Sequence, residues 1–280
     1  MVPIIDSHHH LWRYSLEDYG WIDEEMKAIR RDFLPDDLQA EIAAAGVDGV
    51  ISVQSRQSLD ETRWLLELAR RHTFIRGVVG WAPLMDPEVE GVLEQLTTDR
   101  KLKAVRHVIQ GEADDFFILR PDFNRGVAVL ERFGLAYDIL IYERHLPQTI
   151  QFVDRHPGQS FVLDHIAKPR IRAGELSPWR ENIRELARRE NVCCKVSGLV
   201  TEADYRSWTV EQLRPYVETV LEAFGPGRLL FGSDWPVCLA ACTYRRWFEI
   251  VSDFAAELSP SEREAILGDN AAAVYRLEAA

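Results

Sequence analysis

The sequence predicts an α/β chain folded as one (β/α)8 TIM barrel over residues 1–280. Eight short apolar runs recur from end to end, at residues 3–8, 49–54, 75–81, 102–108, 135–141, 161–164, 192–197 and 229–233, and helical patterns separate them. The runs are continuously hydrophobic rather than alternating, as expected of strands covered on both faces of a parallel sheet. Repeated βα units of this size imply right-handed crossovers, and eight of them in a chain of this length close into a barrel. An open doubly wound sheet is the competing arrangement, but no glycine-rich dinucleotide turn follows the first run.

The connecting helices announce their starts. Ser58-Leu-Asp-Glu61 and Thr209-Val-Glu-Gln212 have capping-box spacing, in which the first hydroxyl and the last side chain satisfy free backbone N–H groups. Asp86-Pro87, Ser177-Pro178 and Ser259-Pro260 place a cap residue before a proline that suits the first helical position. One connection is longer. From about residue 11 to 34 the chain carries Trp12, Tyr14, Tyr19 and Trp21 with few helix signals at its start. Such a loop either covers the site or packs its rings onto the barrel wall.

Composition narrows the partners. The 280 residues include 33 basic and 45 acidic side chains, a net charge of −12 with no basic run, which argues against nucleic acid. No segment is long and apolar enough for a bilayer, and the N-terminus lacks a signal-peptide pattern, so a cytoplasmic protein with no membrane partner is expected. Cys193, Cys194, Cys238 and Cys242 fit reduced core thiols better than a disulfide framework.

In a (β/α)8 barrel, reactive residues cluster where strands end and βα loops begin. Applied here, that rule selects few residues. The first strand runs into Asp6-Ser7-His8-His9-His10, where His8 and His10, two apart, project together. Two imidazoles on one face form half of a metal site or half of a hydrogen-bonding catalytic cradle. The fourth strand delivers Arg106 and His107, the sixth leads into Asp164-His165 and Lys168, and the eighth delivers Asp234 ahead of Trp235. His9 faces the other way, and His72, His145 and His156 fall on or beside helices, where structural or solvated roles are the default.

These motifs carry a resemblance. Asp-Ser-His-His-His-Leu-Trp at 6–12, Leu-Asp-His-Ile-Ala-Lys-Pro at 163–169, Gly-Ser-Asp-Trp-Pro at 232–236 and Gly-Asp-Asn-Ala at 268–271 resemble the amidohydrolase superfamily. Within it they are similar to the branch of sugar-lactone hydrolases that includes L-fuconolactonase and L-rhamnonolactonase type enzymes. The resemblance covers essentially the whole chain and keeps the order of the motifs. It implies that His8 and His10 match the family's His-x-His pair, His165 its sixth-strand histidine and Asp234 its eighth-strand aspartate. It further implies His8, His10 and Asp234 as holders of one divalent metal, zinc, in members that carry one, and catalysis without an obligatory metal in several lactonases. A binuclear centre is not expected: the fourth strand ends in Arg106-His107 rather than a bridging lysine, Lys103 lies at the wrong end of it, and the fifth strand contains no histidine.

The activity so implied is opening of a sugar-derived lactone, a small-molecule substrate, to the sugar acid. Such chemistry needs water, a base and groups that stabilise the oxyanion. Asp234 is the expected base, with His165 and His107 as further catalytic residues and Trp12, Gln54, Trp81, Arg106, Asp138, Lys168 and Trp235 as substrate contacts. The competing readings are an anionic lactone of the pyrone dicarboxylate type, recognised by Arg56, Arg106 and Lys168, a metal-dependent decarboxylase, and a non-catalytic sugar- or metal-binding barrel. The anionic substrate requires several convergent cations. A pure binder has no use for a positioned base.

Overall fold

The computed structural model describes residues 2–278. Eight strands form one parallel sheet in sequential order: β1 (Ile5–His9), β2 (Gly49–Val53), β3 (Ile75–Gly80), β4 (Leu102–Val108), β5 (Ala136–Leu140), β6 (Phe161–Leu163), β7 (Val192–Val196) and β8 (Leu229–Phe231). Helices alternate with them: α1 (Pro35–Ala45), α2 (Leu59–Arg71), α3 (Val89–Leu96), α4 (Pro121–Leu130), α5 (Leu146–Asp154), α6 (Trp179–Leu186), α7 (Val210–Phe224) and α8 (Tyr244–Ala256). The nearly closed barrel is joined between its last and first strands above β8. There His10 N donates to the Trp235 carbonyl at 2.6 Å and Asp234 N to the His8 carbonyl at 2.8 Å. Closure and active-site placement therefore use the same residues.

Two apolar layers follow from strand alternation. One fills the space between sheet and helices, with Val50, Val78, Val105, Ile139, Leu163 and Cys194 facing outward. The other fills the lower barrel interior, where Ile5, Ile51, Val53, Val79, Ala104, Ala136, Val162 and Leu230 meet Ala271 and Tyr275. The last helical segment, Asn270–Val274, thus closes the bottom. Lys103 lies at that end too, its Nζ donating to the Arg276 carbonyl at 3.1 Å.

Local signals fare unevenly. Thr209 and Gln212 form the expected capping box, and Ser259, expected as a cap before Pro260, forms a further one with Glu262. Ser58 caps α2, but the Glu61 carboxylate turns away to accept from Ser55 N at 3.0 Å and Arg56 N at 2.7 Å. Asp86 accepts from Glu88 N ahead of α3, whose first residue is Val89, and α6 begins at Trp179, so neither Asp86 nor Ser177 is the helix cap. The long connection after β1 is pinned at its base by a Trp12–Phe33 bridge. Trp12 and Tyr19 are buried within it, 5.4 Å apart, while Trp21 remains 47% exposed. All four cysteines are free thiols, Cys194 and Cys238 fully buried. Among the described residues no helix is long and apolar enough to cross a membrane.

Candidate active site

The site begins with an irregularity in β1. The pairing of β1 with β2 shifts between Asp6 and His9, so the alternation of side chains is re-phased. Ile5 faces the barrel interior. Asp6 points outward and accepts from Tyr244 Oη at 3.1 Å and Ser233 N at 2.8 Å. His8 points inward, His9 outward to Ser52 Oγ at 2.9 Å, and His10 inward. His8 Nε2 and His10 Nε2 end 3.2 Å apart.

The other two members arrive on left-handed backbone. His165, Ile166, Ala167 and Lys168 have φ of 52°, 48°, 63° and 49°, and Asp234 has φ of 56°. L-residues pay roughly 1–2 kcal/mol each for this conformation, so the surroundings must hold it. Trp179 Nε1 donates to the Ile166 carbonyl at 2.8 Å, and Lys168 N to the His165 carbonyl at 2.8 Å. Ser197 Oγ bonds His165 Nδ1 at 2.8 Å, and Gly198, itself at φ +67°, leaves room for the ring.

Asp234 Oδ1 is the centre of the resulting cluster. It lies 3.5 Å from His10 Nε2 and 3.8 Å from both His8 Nε2 and His165 Nε2. Burial lowers His8 well below the usual imidazole value and His165 to about 4, so both are neutral at pH 7. Burial works to raise Asp234, but His165, then His10 and Lys168, outweigh it and hold the carboxyl below the ordinary carboxylate range. The cluster therefore presents an ionised carboxylate among imidazoles.

The donor set fits a metal ion. His10 Nδ1 is 2.8 Å from the Val53 carbonyl, and a carbonyl only accepts, so Nδ1 carries a proton and Nε2 is the nitrogen left to face Asp234 or a metal. It stands 3.2 Å from His8 Nε2, a separation suited to a proton or a cation shared with the neighbouring carboxylate. His8, His10 and Asp234 offer ligand atoms within 4.8 Å of one another, a two-imidazole, one-carboxylate set suited to zinc.

Beneath the cluster lies a buried ionic layer. Arg106, from β4, donates to Asp164 Oδ2 at 2.8 Å, stands 3.4 Å from His8 Nε2 and bonds the Gln54 carbonyl. Lys195, from β7, meets Asp138 Oδ2 at 2.5 Å and Asp164 Oδ1 at 2.9 Å. Tyr275 Oη donates to Asp138 Oδ2 at 2.8 Å. The sequence places Asp164 at the end of the sixth strand without indicating a role for it, and does not single out Lys195 or Ser197. A lysine interrupting the apolar run Val-Cys-Cys-Lys-Val was the available signal.

His8, His10, His165 and Asp234 are thus brought together, with Arg106 beside them. Lys168, partly buried, pairs with Glu202 at 3.5 Å and lies 5.7 Å above the Tyr142 ring. His107 is placed elsewhere. Strand alternation puts Arg106 inward and His107 outward, where it stacks on Phe117 at 4.9 Å and bonds Glu112 at 2.7 Å. Asp138 is consumed by Lys195 and Tyr275, and Gln54 by Arg106, so neither has a carboxylate or amide free for a substrate hydroxyl. Trp12 and Trp235 are turned into packing: Trp12 is fully buried with Nε1 on the Arg31 carbonyl, and Trp235 packs on Phe33 at 5.1 Å. Trp81 is half-buried after β3, its backbone fixed on Thr62.

A family model described as amidohydrolase matches residues 5–277. The chain belongs to the amidohydrolase family. Among curated relatives of this amidohydrolase, an L-fucono-1,5-lactonase of Burkholderia multivorans is 44% identical over 98% of the chain and 96% of the relative. An L-fucono-1,5-lactonase of Burkholderia ambifaria is 36% identical over the same shares of both chains. The crystal structure of a zinc-bound amidohydrolase from Burkholderia multivorans superposes with a TM-score of 0.94 at 42% identity, covering 99% of this chain and 100% of that one.

Proposed function

We propose that the protein hydrolyses a neutral sugar-derived lactone, L-fucono-1,5-lactone or a closely related aldonolactone, to the open sugar acid. The observation that carries this reading is the convergence of three imidazole Nε2 atoms on one oxygen of an ionised Asp234 at the barrel rim. Relatives named L-fucono-1,5-lactonase at 44% and 36% identity support the substrate class.

Asp234 acts as the base. Its carboxylate takes a proton from the attacking water and returns it to the ring oxygen as the acyl–oxygen bond breaks, so that lactone and water become a hydroxy acid. A Ser197 hydroxyl donating to His165 Nδ1 leaves Nε2–H free to donate to the carbonyl oxygen as charge develops there. Arg106 adds fixed positive charge behind His8. His8, His10 and Asp234 would hold a single zinc, which when bound polarises the carbonyl and lowers the pKa of water.

The geometry supports a neutral substrate over an anionic one. Each cation suited to a carboxylated lactone already faces a carboxylate: Arg106 with Asp164 at 2.8 Å, Arg56 with Asp18 at 2.6 Å and Lys168 with Glu202 at 3.5 Å. The test is a proton-release assay across neutral aldonolactones and anionic lactones, pyrone dicarboxylate included. Turnover of the neutral set alone is expected. No turnover of any lactone, or turnover of the anionic ones alone, overturns the reading.

A further inference from the structure

We propose that the ammonium of Lys195 is a built-in cation that occupies the place of a second metal ion, so that the barrel can take one divalent ion and no more. Lys195 is fully buried, and two potential metal donors flank its Nζ, Asp138 Oδ2 at 2.5 Å and Asp164 Oδ1 at 2.9 Å; His8 Nδ1 stands 3.2 Å from Nζ and 3.2 Å from Asp164 Oδ1, and is the proton-bearing nitrogen whenever His8 Nε2 serves the upper site. They come from β5, the end of β6 and β1, so four strands including β7 converge on one point. Two carboxylates at one buried point are a set that a hard divalent cation would accept. His8, Asp164 and His165 also bring ligand atoms within 4.8 Å of one another, a second grouping that shares His8 with the first.

Charge decides how the two groupings are used. Arg106 and Lys195 supply two positive charges against the two negative charges of Asp138 and Asp164, and all four side chains are buried. The lower layer is therefore neutral as it stands, and a divalent ion added there would leave uncompensated charge away from water. Asp234 is the carboxylate left over, and it faces the imidazoles of the upper layer. The aromatic face of Tyr275 lies 5.5 Å from the Lys195 ammonium, which favours an organic cation held against a ring. The inference rests on the site proposed above and sets its metal capacity.

The test measures metal content and thermal stability of the full chain rather than its activity. Wild type, Lys195→Ala and Lys195→Arg are titrated with zinc and with manganese, and bound metal is counted after gel filtration. Lys195→Ala is expected to take up one further equivalent and to melt at higher temperature with added metal, whereas Lys195→Arg, which keeps the charge, stays at the wild-type content. A folded Lys195→Ala with wild-type stoichiometry and no metal-dependent rise in melting temperature overturns the proposal. If Lys195→Ala folds only with metal present, the proposal stands. If metal does not rescue it, the lysine serves packing alone and the proposal falls. A wild-type content above one equivalent also overturns the proposal, whereas a wild-type content of zero sinks only the one-zinc reading, so the two can be told apart.

Discussion

Gly198 stands directly behind the ring of His165: a Cβ built on it would sit 2.6 Å from Nδ1 and 2.8 Å from Cγ. The same residue has φ of +67°, so its lack of a side chain serves both the turn after β7 and the placement of the imidazole. Gly198→Ala should shift the His165 ring and lower kcat/KM about 100-fold, the effect expected of a misplacement near 1 Å. The left-handed conformation adds a stability cost of roughly 1–2 kcal/mol. Lactone assays together with a denaturant midpoint check this; a normal rate would show that the ring position is not needed.

Ser197 bears on the same ring from a different direction. Its hydroxyl, 2.8 Å from His165 Nδ1, is the only side-chain partner fixing the imidazole's orientation and tautomer among the described residues. Ser197→Ala should lower kcat by about 10- to 100-fold, the usual consequence of losing such a partner, while the melting temperature stays close to wild type. An unchanged kcat would remove His165 from the proton and hydrogen-bond path.

Alkaline pH should destabilise the fold through its thiols. Burial raises Cys193 from 9.0 to about 11 and Cys242 to about 12. Both states hold these protons below pH 9; above it the unfolded chain ionises first, so the folded state loses relative stability as pH rises from 9 towards the folded values. Melting temperature should fall over that range, and Cys242→Ala should flatten the fall after its constant offset is subtracted. A parallel curve for the variant would exclude the thiol as a contributor.

Much of this was legible in the sequence because of how a parallel barrel is covered. Strands buried on both faces spell continuous apolar runs, so all eight were located to within about two residues at either end. Strand ends set the rim, so sequence position alone groups His8, His10, His165 and Asp234. Side-chain direction was harder. Arg106 and His107 are neighbours at the same strand end, yet period-two alternation sends one to the imidazoles and the other to Phe117. Trp12 and Trp235 likewise sit at strand ends but turn into the packing between barrel and loop. Lys195 stands out as a charge inside an apolar run, but its partners do not. Asp138 and Asp164 come from β5 and the end of β6, and it is the lateral pairing of β5, β6 and β7 that brings the lysine against two carboxylates distant in sequence.

The central claim is that Asp234 is the base in hydrolysis of a neutral sugar lactone. The most direct measurement is proton release from L-fucono-1,5-lactone by wild type and by Asp234→Asn, with circular dichroism on both proteins. The amide keeps the size of the side chain but cannot take the proton from water. Steady turnover by wild type and a loss of about 10²- to 10⁴-fold in the variant, the range for removing a general base, with an unchanged spectrum, is the predicted result. A folded Asp234→Asn that opens the lactone near the wild-type rate would contradict the account.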